Sequence, residues 1–218
     1  VLTDVRPLPQ VRAGSALVRW RDRLLAVQDD AYELAWITPR EGGEPRVDLV
    51  ACGERLGPLP KSEKPDFEAA LLRGGAVYVL GSGSAALRRR LIRLVPEPFE
   101  LALRDAAPLF DAVAVALGHA LGRRGPASPN VEGALVRSEV LTLFHRGARD
   151  TPNAAITLNA GALDGETAIV AASTLLDLGD VAGVPLALTD VAPLDEGYVY
   201  LACAEGTPDA ISDGPIVG

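Results

Sequence analysis

Short apolar runs separated by polar turns recur along the chain and predict a series of β-hairpins. Residues 65–83 (PDFEAALLRGGAVYVLGSG) and 129–147 (PNVEGALVRSEVLTLFHRG) match without gaps at an offset of 64 positions. Weaker copies of the pattern occupy residues 14–30 and 186–206. In each copy, a first apolar run such as Ala69–Leu72 leads through a short polar turn into a second apolar run, which is typical of a hairpin.

The apolar runs are nearly continuous, which indicates strands that are buried on both faces. Stacked blades bury their sheets in this way, and repeats of this length are typical of propellers. We therefore predict an all-β fold, a β-propeller of repeated antiparallel blades that forms a single domain over residues 1–218. Four units are visible, and the turn-like end at residues 214–218 indicates that the complete protein continues into further blades.

One helix is predicted, over Asp105–Leu121, with Pro108 in its first turn, where proline is tolerated. We interpret it as an insertion between the second and third blades. Residues 39–65 are rich in proline, glycine and charge, and they predict a long surface connection. The alternative fold, an α/β domain, is disfavoured because the apolar runs alternate with other strands and not with helices.

Composition narrows the classes of partner. The formal net charge is −8, and an acidic surface disfavours nucleic-acid binding; the basic run Arg88–Arg90 is interpreted as a solvated stretch. No segment approaches the ~20 apolar residues that cross a bilayer, so no membrane partner is expected. Two cysteines are too few for a disulfide scaffold or a metal cage. A cytoplasmic location is favoured, and a periplasmic one stays open, because a chain beginning at Val1 without methionine indicates that the native N-terminus is missing.

An acidic pattern recurs at the start of two equivalent apolar runs. Asp66 and Glu68 precede one run, and Asn130 and Glu132 precede its repeat. Residues i and i+2 of a strand point to the same side, so each pair projects together. If these segments open the innermost strands, four oxygen-bearing side chains meet at one mouth of the channel, as a Ca²⁺ or Mg²⁺ site requires. The alternative is that these residues only stabilise the turns that enter the blades.

The loops that follow the outgoing strands are expected at the same mouth. His145 and Arg146 are candidate catalytic residues there, as a titratable base beside a fixed cation, although a histidine in this setting is more often structural. Polar residues of the other loops are candidates for binding a small-molecule or anionic ligand, with a plain turn as the alternative. These candidate ligand-binding residues are Asp29, Asp30, Ser82, Asp209 and Asp213.

Several of these segments look like an uncharacterised bacterial β-propeller family that is distantly similar to phytase-like and quorum-sensing-regulated propellers. The resemblance lies in Lys64–Ala69, Leu80–Ser84 and Asn130–Gly133, and in the segment from Thr207 to Pro215. It implies a propeller with Asp/Asn-x-Glu-Gly motifs at its inner strands, and phytase-like relatives imply calcium and phosphate-ester chemistry. The chain lacks the dense set of lysines and acids of such enzymes, so phytase activity is not carried across.

Two functional hypotheses follow. In the first, the acidic mouth binds a divalent cation or a small anionic ligand and belongs to a phosphoesterase-like or lactonase-like hydrolase. In the second, the protein is a non-catalytic scaffold whose rim binds another protein. The second predicts that the acidic side chains are consumed by backbone hydrogen bonds and that an apolar patch is exposed elsewhere.

Overall fold

The computed structural model describes residues 7–205 and 216–217, and within them the chain forms four antiparallel four-stranded sheets. These sheets are the blades of a four-bladed β-propeller. The repeats predicted the propeller and these four units, and the expectation of further blades in the complete protein stays a prediction. The first blade contains β1 to β4, paired in chain order. Their bounds are Gly14–Trp20, Arg23–Gln28, Glu33–Thr38 and Arg46–Ala51. The prediction of an irregular connection over residues 39–65 was therefore wrong for β4, whose alternating exposed and half-buried residues mark an outer strand.

The second and third blades are the two gapless repeats and their outer strands. The second blade contains β5 to β8, at Phe67–Arg73, Ala76–Gly81, Arg90–Val95 and Glu100–Asp105. The third blade contains β9 to β12, at Val131–Arg137, Val140–His145, Asn153–Asn159 and Val170–Leu176. In the second and third blades, the first hairpin closes on a two-residue turn with positive φ at both residues, the geometry that matches strand twist.

The fourth blade contains β13 to β16. Their bounds are Asp180–Val181, Val184–Pro193, Tyr198–Glu205 and Ile216–Val217. The strand nearest the axis is β14, because it contacts the innermost strands β9 and β1. Together, β1, β5, β9 and β14 surround the channel, and each contacts its two neighbours.

A single α-helix, α1 (Ala107–Ala120), joins the second blade to the third within the described residues. This confirms the predicted insertion, with ends that differ by one or two residues. Its buried face, including Phe110 and Leu117, packs into the large apolar core between these two blades. A second core joins the first and second blades, and a smaller one joins the third and fourth. The helix and the cores hold the inner strands of blades two and three in fixed positions at the channel.

Candidate functional site

Each of the four inner strands carries a β-bulge near the same mouth of the channel. At each bulge, the register with the next strand shifts by one residue. All four extra residues line one cleft at the channel, and bulges of this kind re-aim a side chain. The bulge residues are Ser15, Glu68, Glu132 and Thr189. The sequence repeat identified Glu68 and Glu132, but not the polar residues that replace them in the other two blades.

A polar cavity of about 240 Å³ lies beside the two glutamates. Four acidic and four basic residues line it, together with one asparagine, so the opposite charges nearly balance. The lining residues are Asp29, Lys61, Lys64, Asp66, Glu68, Arg88, Asn130, Glu132 and Arg146. The loops that follow β2, β6 and β10 and the segments before β5 and β9 bring these side chains together, as the predicted common mouth requires.

Asp66 has partners on both of its carboxylate oxygens. Its Oδ2 accepts a hydrogen bond from Ser82 Oγ at 2.6 Å and lies 3.0 Å from Arg88 Nη1, and its Oδ1 lies 2.8 Å from Lys64 Nζ. The residue is buried and has a φ of +56°, an uncommon backbone conformation for a non-glycine residue. The Asp66 carboxylate is therefore held in one orientation by its three partners.

Lys64 bridges two acidic residues at the edge of the cavity. Its ammonium group contacts Asp29 as well as Asp66. Burial alone would lower the pKa of Lys64, but hydrogen bonds and charge attraction from the two carboxylates outweigh it and raise the pKa. Lys64 is thus a protonated ammonium group that lies between the carboxylates of Asp29 and Asp66.

Glu68 differs from its neighbours because no hydrogen bond or ion pair to its side chain occurs within the described part of the chain. Burial, followed by repulsion from Glu132, Asp66 and Asp29, raises its pKa to about 9, and Lys64 offsets this only in part. At neutral pH the side chain therefore carries a proton. A half-buried carboxyl group that has no partner among the described residues and faces other acids is destabilising unless something else binds there.

The carboxylate of Glu132, unlike that of Glu68, has a hydrogen-bond partner and a nearby cation. Asn130 Nδ2 donates a hydrogen bond to its Oε1 at 3.0 Å, and Arg146 Nη1 lies 3.6 Å from the same oxygen. Burial still raises the pKa of Glu132 to about 7, against the opposing effect of Arg146. Arg146 also pairs with Glu205, while its Nε is buried without a hydrogen-bond partner.

The carboxylates of Asp29, Asp66 and Glu68 form a cluster whose potential ligand atoms all lie within 4.8 Å of one another. Oxygen donors at such separations suit a hard cation. The sequence-derived ligand set was Asp66, Glu68, Asn130 and Glu132. The structure brings all four to the cavity, but Asn130 and Glu132 bond to each other, and Asp29 completes the acidic cluster in their place.

The other predicted site residues have varied surroundings. His145 is buried, its Nδ1 accepts a hydrogen bond from the backbone N–H of Asn130, and burial lowers its pKa to about 4. Ser82 is bonded to Asp66, and Asp30 lies 3.5 Å from Arg12. Asp209 and Asp213 lie outside the described residues. The His145 side chain therefore supports the backbone at Asn130. A catalytic role for His145 stays a prediction.

Three cavity residues, Lys61, Lys64 and Arg88, were missed from the sequence. Lys64 entered the sequence analysis only as the first residue of Lys64–Ala69, a segment that resembles a propeller family. Arg88 was interpreted as part of a solvated basic run. The structure shows that interpretation to be wrong for Arg88, whose side chain is 13% exposed and contacts Asp66. Its position shortly after the Gly-Ser-Gly-Ser turn, which also supplies Ser82, is the one signal that could have placed it at the mouth.

The fold and the site together define a β-propeller with a charged cavity at one mouth of its channel. The chain belongs to a family of unknown function, DUF6929, whose model matches residues 10–218. No curated protein matches the chain significantly. Among the residues that the structure describes, no helix is long and apolar enough to span a membrane.

Proposed function

We propose that the polar cavity binds a divalent cation, preferentially Ca²⁺, together with a small anionic ligand. The observation that carries this proposal is the half-buried Glu68 carboxyl group, which has no hydrogen-bond or ion-pair partner among the described residues and lies within 4.8 Å of the carboxylates of Asp29 and Asp66. Calcium accepts six to eight oxygen ligands in flexible geometry, so three carboxylates leave positions for water and for a ligand. The resemblance to calcium-linked, phytase-like propellers points in the same direction.

The cation would compete with Lys64. The ammonium group of Lys64 already contacts Asp29 and Asp66, and a divalent ion needs the same oxygens. Binding would also release the proton that Glu68 carries at neutral pH, because metal ligands must be deprotonated. Affinity for calcium is therefore expected to rise with pH towards about 9.

The anionic part of the proposal depends on the basic residues of the cavity. Arg88 and Arg146 line it with 13% and 12% of their side chains exposed, and the buried Nε of Arg146 lacks a hydrogen-bond acceptor. Guanidinium groups bind phosphate and carboxylate well, since they donate two parallel hydrogen bonds. A phosphate or carboxylate group could accept hydrogen bonds from the guanidinium groups and coordinate the cation at the same time.

The same arrangement would suit a hydrolase. A bound divalent cation polarises a phosphoryl or carbonyl oxygen. Glu132, with a pKa of about 7, has the proton affinity of a general base that works near neutral pH. Phosphoesterase-like and lactonase-like reactions both fit, and we propose them as the reaction classes to screen once cation binding is established.

The test is thermal unfolding in EDTA and in a calcium titration. Wild type is expected to gain about 2.7 kcal/mol of stability at a calcium concentration of 100 times the Kd. Glu68→Gln and Asp29→Asn are expected to lose this gain, while Glu97→Gln, which removes an exposed carboxylate paired with Arg21, keeps it. Equal calcium responses in all four proteins, or none in wild type, would overturn the proposal.

A second candidate function, a scaffold that binds another protein, is favoured by one observation. β15 presents Val199, Tyr200 and Leu201 to solvent at exposures of 49%, 42% and 65%. Exposed apolar patches on soluble proteins often mark interaction sites. Against this candidate, the acids Asp66 and Glu132 contact charged and polar side chains, and are not consumed by backbone hydrogen bonds as the scaffold hypothesis predicted.

A further inference from the structure

A large cleft opens between the first and fourth blades, on the side of the channel where the four bulges lie. Its volume is about 610 Å³. Apart from the polar residues at the channel, its lining is mainly apolar. The apolar side chains that form its walls are Leu8, Val11, Leu17, Ala26, Ile37 and Leu201.

The cleft differs from the contacts between the other blades. Apolar cores fill the space between blades one and two, two and three, and three and four. Within the described residues, no such core joins blade four to blade one. Leu17 and Leu201 are instead 56% and 65% exposed, although Leu17 belongs to an innermost strand.

The apolar cleft is continuous with the polar cavity. Asp29, Glu68 and Glu132 line both spaces. A ligand whose head group lies in the polar cavity, beside Arg88 and Arg146, therefore has an apolar wall next to it. Leu17 also lines a second apolar cavity of about 350 Å³, further along the channel.

We propose that the ligand of this protein is amphipathic, with an anionic head group in the polar cavity and an apolar chain along the cleft between blades one and four. This inference rests on the proposed function, because it extends the ligand of the same site. Two of the bulge residues, Glu68 and Glu132, stand at the boundary between the two parts. A simple inorganic anion would use the head-group site and leave the cleft in contact with water.

Burial of the chain predicts a gain in affinity with chain length. Each methylene group transferred from water to an apolar site tightens binding by up to about fourfold. The walls of the cleft are partly exposed, so the gain per methylene is expected to be smaller. We expect octyl phosphate to bind at least tenfold more tightly than inorganic phosphate.

The experiment is calorimetric titration of the full chain, in saturating calcium, with inorganic phosphate, octyl phosphate and 1-octanol below their aggregation limits. The expected order is octyl phosphate first, phosphate weaker, and octanol weakest. Equal affinities for the two phosphates would overturn the amphipathic ligand and leave the anion site intact. Absence of binding by both phosphates would overturn the inference. The change in thermal stability on adding calcium without phosphate then shows whether the proposed cation site is also wrong.

Variants distinguish binding of the octyl chain in the cleft from non-specific binding of an amphiphile to the protein surface. Leu17→Gln and Leu201→Gln change exposed side chains, so folding should survive, and each is expected to abolish most of the gain from the octyl chain. Their calcium response should equal that of wild type. The matched control is Leu175→Gln, which changes an exposed leucine of the outer strand β12. This variant should keep the gain in affinity from the octyl chain. A similar loss in all three variants, or in none, would overturn the assignment of the chain to the cleft.

Discussion

The carboxyl group of Glu68 combines partial burial, three acidic neighbours and the lack of a hydrogen-bond partner in the described residues. Its pKa of about 9 lies above the ordinary value of 4.5. Between these pH values the native state holds a proton that the unfolded state has lost. The free energy of unfolding therefore falls as the pH rises through this window.

Glu68→Gln should remove this pH dependence, because the amide has nearly the same shape and does not ionise. In EDTA, the variant is expected to be more stable than wild type. Its advantage should grow by about 2.7 kcal/mol between pH 6 and pH 8, because a difference of one bound proton is worth about 1.4 kcal/mol for each pH unit. Urea unfolding at the two pH values measures the difference. Parallel stability curves for the two proteins would contradict the raised pKa.

Lys64→Met tests whether the lysine and the cation share one site. Without calcium, the variant leaves Asp29 and Asp66 without their shared ammonium partner and should be less stable than wild type. With the competing cation gone, its affinity for calcium is expected to increase by about tenfold, a gain equivalent to about 1.4 kcal/mol. Calorimetric titration with calcium measures this change.

A purely structural salt bridge predicts a different result for Lys64→Met. The variant would be destabilised, and calcium would not restore its stability. The control is Arg55→Met, which removes an exposed cation paired with Glu63 away from the acidic cluster. Its calcium affinity should equal that of wild type.

At the scale of the elements, the turn after β6 connects the site to the helix. Gly83 has a φ of +76°, and a Cβ atom there would lie 2.3 Å from Cδ1 of the buried Phe110 ring in α1. The same turn carries Ser82, which bonds to Asp66. The close approach of turn and helix therefore helps to set the position of the acidic cluster.

Substitution of two glycines separates backbone strain from packing. Gly74→Ala places a side chain at a φ of +57° in open space, and is expected to cost about 1 kcal/mol. Gly83→Ala has similar strain and also displaces Phe110, so it should cost at least about 2 kcal/mol more. Urea unfolding of both variants measures the costs. Equal costs would show that the Gly83–Phe110 contact does not limit the packing of α1.

The elements show which features the sequence could predict. The hairpins and the inserted helix were predictable because apolar runs, turn residues and Pro108 act locally. β4 was missed because it is short and lies within a stretch rich in proline, glycine and charge, which resembles a surface loop. Glu68 and Glu132 were found because they repeat, whereas Arg88 and Lys64 were not, because their pairing with Asp66 depends on how separate segments meet in space.

At the scale of the molecule, the blades are unequally supported. The core between blades two and three includes α1, while the core between blades three and four is small. Stability within a protein follows such differences in buried apolar contact. Amide hydrogen exchange is expected to be faster in β15 than in β10, by at least tenfold, and mass spectrometry of peptides from both strands measures it. Equal protection would show that the blades unfold as one unit.

A crystal structure of the protein grown with calcium is the decisive test of the cation site. We predict an ion bonded to oxygens of Asp29, Asp66 and Glu68 at about 2.3–2.6 Å, with the Lys64 ammonium group displaced from the cluster. The ion should be absent from crystals of Glu68→Gln grown under the same conditions. A structure in which Lys64 still joins Asp29 and Asp66, with no ion beside Glu68 at saturating calcium, would contradict it.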